Sequence, residues 1–274
     1  AVSQHLRALE RQAGLPLVVR RPRGVRLTEA GEVLLRHADA IATRLHAASD
    51  DLAALAELRS GTVRLAAFPS ASATLVPAAI ELLAARHPDL DVRLREAEPP
   101  EAFALLRAGS VDVVLAFAHA GAPPPEEPGL TRLPLGTDPV RLVLPRTRPG
   151  PVADLAELAA ERWIAGCERC TAYLVQACAD AGFAPDVRHG TDDYVVAQAL
   201  VARGLGVALL PQLALAAFHH PDVVVQDVPT LRPRTLHLFH YREADQIPAV
   251  RAAVRALRDL QPGTATASAP STAK

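Results

Sequence analysis

The chain has 274 residues, 29 basic against 30 acidic side chains, a formal net charge of −1, three cysteines and no methionine. That length holds a small module plus one or two mid-sized domains; no apolar run approaches the roughly 18 residues of a membrane span and no secretion signal is visible, so a soluble cytoplasmic protein without membrane contact is expected. The sole lysine is Lys274, which excludes P-loop hydrolases and pyridoxal enzymes, whose chemistry needs an internal lysine.

The first predicted element is a helix. Val2, Leu6, Leu9 and Ala13 recur at helical spacing, Ser3, Gln4, Arg7 and Arg11 take the opposite face, and Gly14 supplies the stop. Leu15 to Val19 then leads into an arginine-studded turn, Arg20-Arg21-Pro22-Arg23-Gly24-Val25-Arg26. Up to Arg26 there are six arginines and one acid, Glu10. A local surplus of that size in a nearly neutral chain is the electrostatic footprint of phosphate binding. A solvated surface helix followed by a basic loop is the plain alternative.

From Thr28, an N-cap followed by Glu29, a helical pattern runs to about Arg59, with Leu34, Ala38, Ile41, Leu45, Ala48, Leu52 and Leu55 at alternating steps of four and three. A sustained 3.5-residue repeat keeps one seam facing a partner helix, so the segment reads as a dimerising coiled coil. A long helix packed on its own domain is the alternative.

Residues 1–10 and the run Arg20 to Gly31, with its Leu27-Thr28-Glu29-Ala30-Gly31 motif, resemble the recognition helix, wing and linker-helix start of the LysR-type transcriptional regulators of bacteria. Downstream, Gly204-Leu205-Gly206-Val207-Ala208-Leu209-Leu210-Pro211 is the best match. The resemblance covers nearly all of the chain. It departs at the start, where the family's first helix and the first helix of its helix-turn-helix have no counterpart, so the chain reads as an N-terminally truncated fragment. The resemblance implies double-stranded promoter DNA, bound by the full-length parent, as a partner, with Ser3, Gln4 and Arg7 reaching base edges and Arg20, Arg21 and Arg23 holding phosphates. It also implies a homodimer or homotetramer on a pseudo-palindromic operator.

From Thr62 strands and helices alternate, the signature of an α/β domain with a largely parallel sheet. Strands are predicted at 62–68, 91–97, 111–117, 140–145, 162–166, 186–191, 206–211, 223–228 and 235–241, and helices at 74–86, 100–109, 171–182, 192–203 and 246–260. The order strand, helix, strand, helix, strand occurs twice, from Thr62 to Phe117 and from Arg162 to Pro211, which suggests two similar lobes. The chain crosses between them near Thr137-Asp138-Pro139 and returns through Pro229 to Pro233. The domains are therefore 1–27, a partial winged helix-turn-helix; 28–60, the linker; and 61–261, a two-lobed sensor with lobe I at 61–138 and 235–261 and lobe II at 139–234. Residues 262–274 form a Pro/Ser/Thr/Ala-rich tail expected to be disordered. The family resemblance implies a periplasmic-binding-protein-like sensor with its effector between the lobes.

Ligands in such sheets sit beyond the carboxyl ends of strands, at helix N-termini. Ser70 and Ser72 follow the first strand, and Cys167, Arg169 and Thr171 occupy the corresponding place in lobe II. Glu98 ends the second strand, Asp192 opens the helix before the glycine motif, and Phe117 and His119 end a third strand. A small, anionic effector is expected on Ser70, Ser72, Glu98, Phe117, Cys167, Arg169, Thr171 and Asp192. Ordinary N-capping is the alternative for each hydroxyl. Cys167, Cys170 and Cys178 with His189 are a poor zinc set, because no second paired motif appears. No nucleophile elbow, His-Glu-x-x-His or Rossmann fingerprint is present, so neither an enzyme nor a cofactor is expected. Two other functions stay open: a solute-binding receptor without DNA function, and a cysteine-based redox-sensing regulator. For the latter, Cys178 resembles the second cysteine of the family's peroxide sensors, and Cys170, beside Arg169 at a helix start, is the candidate reactive thiol, whereas Cys178, deeper in the helix, is expected to be buried and inert.

Overall fold

The structure, a computed structural model, describes residues 2–21, 24–35, 37–38, 41, 52–53, 55, 61–122 and 129–260. It divides into two compact units, 1–57 and 58–274.

In the first unit, helix α1 (Val2–Ala13) ends at Gly14, whose φ of 69° is the left-handed geometry that only glycine adopts without strain. Strands β1 (Val18–Arg21) and β2 (Gly24–Leu27) then pair as an antiparallel hairpin with Val18 opposite Leu27. Arg20, Arg21 and Arg26 of the predicted basic turn thus lie in the strands of this hairpin. Residues 29–35 are helical. Four seam residues, Leu34, Ile41, Leu52 and Leu55, are exposed on the single chain. Leu45 and Ala48 of the predicted seam, Arg23, and the predicted tail 262–274 lie outside the described residues.

The second unit holds two five-stranded sheets. One has the order β4 (Asp91–Glu96), β3 (Thr62–Ala67), β5 (Val113–Ala118), β12 (Arg234–Tyr241), β6 (Leu130–Asp138). The other has β11 (Val223–Gln226), β7 (Val140–Pro145), β10 (Val207–Pro211), β8 (Arg162–Ala165), β9 (Asp186–Gly190). The sheets are mixed and not largely parallel: β3 runs parallel to β4 and β5, and β8 to β9 and β10, while the other pairings are antiparallel. One cause is β6, which has no counterpart among the predicted strands. Its exposed alternate residues and internal Pro134 hide a strand that lies at the sheet edge, where a missing N–H is tolerated.

Strand burial follows position in the sheet. Central β5, Val-Val-Leu-Ala-Phe-Ala, is buried throughout, whereas edge strand β4, Asp-Val-Arg-Leu-Arg-Glu, is charged and mostly exposed, which discourages pairing with another chain. Lobe I is layered on both faces of its sheet. The helices Leu75–Arg86 and Pro248–Asp259 cover one face through Val76, Ala79, Leu83, Val250, Ala253 and Leu257. The helix Pro99–Arg107 covers the other, where Phe103 meets Phe239 edge-on at 4.8 Å. Lobe II repeats the plan, with Trp163, Leu174 and Cys178 on one face and Ile164, Ala197 and Val201 on the other. Gly206 lets β10 lie close to β8, since a Cβ there would stand 2.9 Å from the Arg162 carbonyl oxygen.

Candidate functional site

Between the two sheets opens a cleft of about 540 Å³, counted to the surrounding solvent and lined from both lobes. Its floor is a buried ion pair absent from the expected contacts. Asp138 ends β6 and Arg234 begins β12, so each stands where the chain crosses between lobes. Their side chains are 1% and 3% exposed. The guanidinium donates to Asp138 Oδ2 from Nε at 2.9 Å and Nη2 at 2.8 Å, and from Nη2 to Ser70 Oγ at 2.7 Å. Asp138 Oδ1 in turn accepts from the Leu213 backbone N–H at 3.1 Å. Lobe I, lobe II and both crossings therefore share one network. Beneath it Phe68 and Phe117, edge to face at 5.0 Å, present rings 4.8 and 4.5 Å from the Arg234 guanidinium carbon.

Ser70, Glu98, Cys167 and Asp192 of the expected contacts line this cleft, together with Cys170, Thr191, Tyr194 and Arg234. The structure places the other four elsewhere. Phe117 lies under the floor as the cation–π platform. Arg169 faces a second cavity, with His119 and Tyr173. Ser72 Oγ donates to the Ala67 carbonyl at 3.1 Å and Thr171 Oγ1 to the Gly166 carbonyl at 3.0 Å. These equivalent hydroxyls, each bonded five residues back, close the strand-to-helix turn in their own lobe. Their repetition follows from the repeated turn, so it is no sign of a ligand.

Glu98 ends the approach to its helix without capping it, and its Oε2 is buried with no hydrogen-bond partner. Burial first, then the facing Cys167 thiol, raises its carboxyl to about 8, against a lowering by Arg234. A neutral carboxylic acid that can donate a hydrogen bond therefore stands in the cleft at neutral pH. The helix Glu168–Asp180 starts there too, at Cys167, with no side chain capping its first N–H groups. By contrast Asp193 caps the next helix through the Val195 and Val196 N–H groups. His119 is 8% exposed, stacks on Tyr173 at 4.4 Å, and has no hydrogen bond at either ring nitrogen. Burial, helped by Arg234 and Arg169, lowers it to about 4.

Of the cysteines, Cys178 meets the expectation of a buried, unreactive thiol deep in its helix, while the surroundings of Cys170 differ from it. Cys178 is fully buried in the lobe II core, and burial raises it to about 11. Eight residues of helix, about 12 Å of rise, separate it from Cys170. Cys170 is lowered as expected, but its main cause is a hydrogen bond from Cys167, with Arg234 as the assisting cation in place of Arg169. Among the described residues no cluster of three or more His, Cys, Asp or Glu could hold a metal.

In the first unit Glu10 and Thr28 organise the wing. Glu10 Oε1 accepts from the Leu17 and Val18 N–H groups at 2.9 and 3.3 Å. Thr28 Oγ1 donates to the Pro16 carbonyl at 2.7 Å and accepts from the Gly31 N–H at 3.0 Å, capping the linker helix. A Cβ on Gly31 would lie 2.1 Å from the Leu17 carbonyl oxygen, so the Leu-Thr-Glu-Ala-Gly motif is a junction that only glycine can close. Gln4 and Arg7 are exposed on α1, Ser3 lies on the same helix, and Arg20 and Arg21 lie in β1.

A family model described as "Bacterial regulatory helix-turn-helix protein, lysR family" matches residues 1–32, and one described as "LysR substrate binding domain" matches 56–262. The chain belongs to the LysR family. It is a LysR-type transcriptional regulator with an effector-binding domain. This LysR chain is 28% identical over 265 residues, 96% of its length and 88% of the relative's, to the probable HTH-type transcriptional regulator LrrA of Synechococcus elongatus. It is 33% identical over 223 residues, 78% of its length and 69% of the relative's, to a probable hydrogen peroxide-inducible genes activator of Mycobacterium avium. Among solved structures, a full-length OxyR from Pseudomonas aeruginosa carrying a cysteine-to-aspartate substitution superposes with a TM-score of 0.76 at 21% identity, covering 94% of this chain and 88% of that one, which shows a shared fold.

Proposed function

We propose that the interlobe cleft of this LysR regulator takes a small anion and that the occupied and empty states present the DNA-reading module differently. The observation that carries the reading is the buried Arg234 guanidinium at the waist, held against Ser70 and Asp138 with a side-chain-free helix N-terminus at Cys167 lining the same cleft. The uncapped helix N-terminus favours negative charge, and the Arg234 guanidinium, its charge balanced by Asp138, adds a fixed polar group beside it. A neutral Glu98 would donate to the ligand, and the Asp192 carboxylate favours a ligand that also carries a hydroxyl or amine donor. Switching requires that the ligand bind the two states with different affinity.

The remaining assignments follow. Residues 1–27 would contact duplex promoter DNA, with Ser3, Gln4 and Arg7 at base edges and Arg20, Arg21 and Arg23 on phosphates. Residues 28–60 would dimerise through the exposed Leu34, Ile41, Leu52 and Leu55. Lobe II would span 139–233, because β12 already begins at Arg234. The protein acts as a binding protein and not an enzyme, in the cytoplasm, where the chromosome is. The relatives include the LysR regulator CbnR solved with its target DNA, at 23% identity.

The test is a thermal-unfolding screen against small carboxylates. A ligand of the cleft at a hundredfold excess over its Kd adds about 2.7 kcal/mol of stability, and Glu98→Gln reduces its affinity. A tight complex whose ligand lies outside the cleft overturns the reading.

A further inference from the structure

Cys167 and Cys170 stand at the N-cap and on the first turn of the helix Glu168–Asp180, with their sulfurs 3.3 Å apart. That is hydrogen-bond contact between two thiols, well beyond the roughly 2.05 Å of a disulfide, and both cysteines are free and partly buried. Gly166 lies against them: even an added Cβ there would come within 3.4 Å of Cys170 Cβ. Both line the cleft, facing Glu98 of lobe I.

We propose that Cys167 and Cys170 form a reversible dithiol–disulfide pair inside the effector cleft, oxidised by a small two-electron thiol oxidant of the hydroperoxide or disulfide class. The pair is a further input at the cleft, and it rests on the cleft reading only for its route to DNA. Roles within the pair follow from the surroundings. The Cys167 S–H donates to the Cys170 sulfur, which with Arg234 and the helix terminus stabilises Cys170 as thiolate, while the same contact and burial push Cys167 up. Cys170 is the attacking sulfur and Cys167 the resolving one.

With a hydroperoxide, the Cys170 thiolate attacks the terminal oxygen and the O–O bond breaks. The alkoxide leaves with the Cys167 proton as an alcohol, and Cys170 holds a sulfenic acid. The Cys167 thiolate then attacks the Cys170 sulfur, the S–O bond breaks, and hydroxide leaves and takes a proton from solvent to become water. Two electrons pass from the two sulfurs to the peroxide. With a low-molecular-weight disulfide, the two attacks expel its two thiolates in turn, and the first of them takes the Cys167 proton. Either route takes the Cys167 proton and draws its sulfur, which faces Glu98 across the cleft, from 3.3 Å to bonding distance of Cys170, so oxidation alters a contact between lobes.

The sequence supplies its own assay. Trypsin cuts after Arg162, Arg169 and Arg188, which puts Cys167 in the peptide 163–169 and both Cys170 and Cys178 in 170–188. The reduced full chain is treated with hydrogen peroxide in one arm and oxidised glutathione in the other, alkylated and digested without reductant. The expected product joins the two peptides, persists in Cys178→Ala, disappears in Cys167→Ser, and is reversed by dithiothreitol. In Cys167→Ser the peroxide arm stops at a Cys170 sulfenic acid that dimedone traps. A bridge closed within 170–188, or three free thiols in both arms, overturns the proposal. If the expected bridge forms while no small carboxylate stabilises the protein, the anion reading fails and this inference stands.

Discussion

Asp138 and Arg234 set the energetics of the waist. Two charges that are almost fully buried cost several kcal/mol each to desolvate, so the pair adds little beyond what an apolar pair would, but loss of one partner leaves the other uncompensated. Asp138→Asn is therefore expected to cost about 3–5 kcal/mol in urea unfolding, with the joint replacement Asp138→Leu, Arg234→Met recovering much of the loss. Glu98 and His119 give the cleft region its pH dependence. Glu98 is raised from 4.5 to about 8, so between those values the folded chain holds a proton that the unfolded chain releases, and stability falls as pH rises. His119 is lowered from 6.5 to about 4, so in that interval stability falls as pH drops. The two slopes oppose each other below 6.5, and above it the lowered Cys170 opposes Glu98, so the Glu98 slope is isolated by comparison with Glu98→Gln over the window 6.5–8. Across it, the Tm of the unaltered chain is expected to decline relative to that of Glu98→Gln, and parallel curves would contradict the raised carboxyl.

At the scale of elements, the repeated strand-to-helix turns and the wing junction carry the structure. Ser72 and Thr171 close equivalent turns with one side-chain bond each, so Ser72→Ala with Thr171→Ala should lower stability by about 1 kcal/mol per bond. The ligand-induced Tm shift should remain, because neither hydroxyl lines the cleft. Gly31 is under a stronger constraint. Gly31→Ala puts a methyl inside the contact distance of the Leu17 carbonyl, an overpacking expected to cost about 1–3 kcal/mol in the first unit. The outcome to look for is weakened duplex binding with an unchanged ligand-induced shift at the cleft; binding as tight as the parent's would show that the junction can yield.

For the whole molecule, charge is distributed by task. The chain is close to neutral, yet the segment up to Arg26 carries six of its arginines against one acid. Arg21→Ala is expected to weaken specific and random duplex alike and to lower the slope of log affinity against log salt by about one. Gln4→Ala should instead narrow the gap between specific and random sites at a similar salt slope. Fluorescence anisotropy at several salt concentrations separates the two, and equal losses on both duplexes for both variants would defeat the division of roles.

Local chemistry determined much of this by itself. Gly14 had to end α1, Thr28 had to cap the linker, and the buried run Val113 to Ala118 had to be an inner strand, because each rests on a residue's own backbone preference or on an apolar period. Even the two-lobed plan was legible, since the same order of elements occurs twice. What tertiary structure alone decided involves partners distant in sequence. Strand β6 exists because β12 offers it an edge. Asp138 and Arg234 are 96 positions apart and become a pair only when both crossings meet at one waist. Opposite charges at the two crossing points were the available signal, but charge at a loop ordinarily means solvent. Ser72 and Thr171 resembled ligand contacts because a turn-closing hydroxyl and a ligand-binding one occupy the same place in sequence, and only the direction of the side chain separates them. The thiol neighbour of Cys170 was decided in the same way: the helix turns Cys178 into the lobe II core and leaves Cys167, at the start of the same helix, within 3.3 Å.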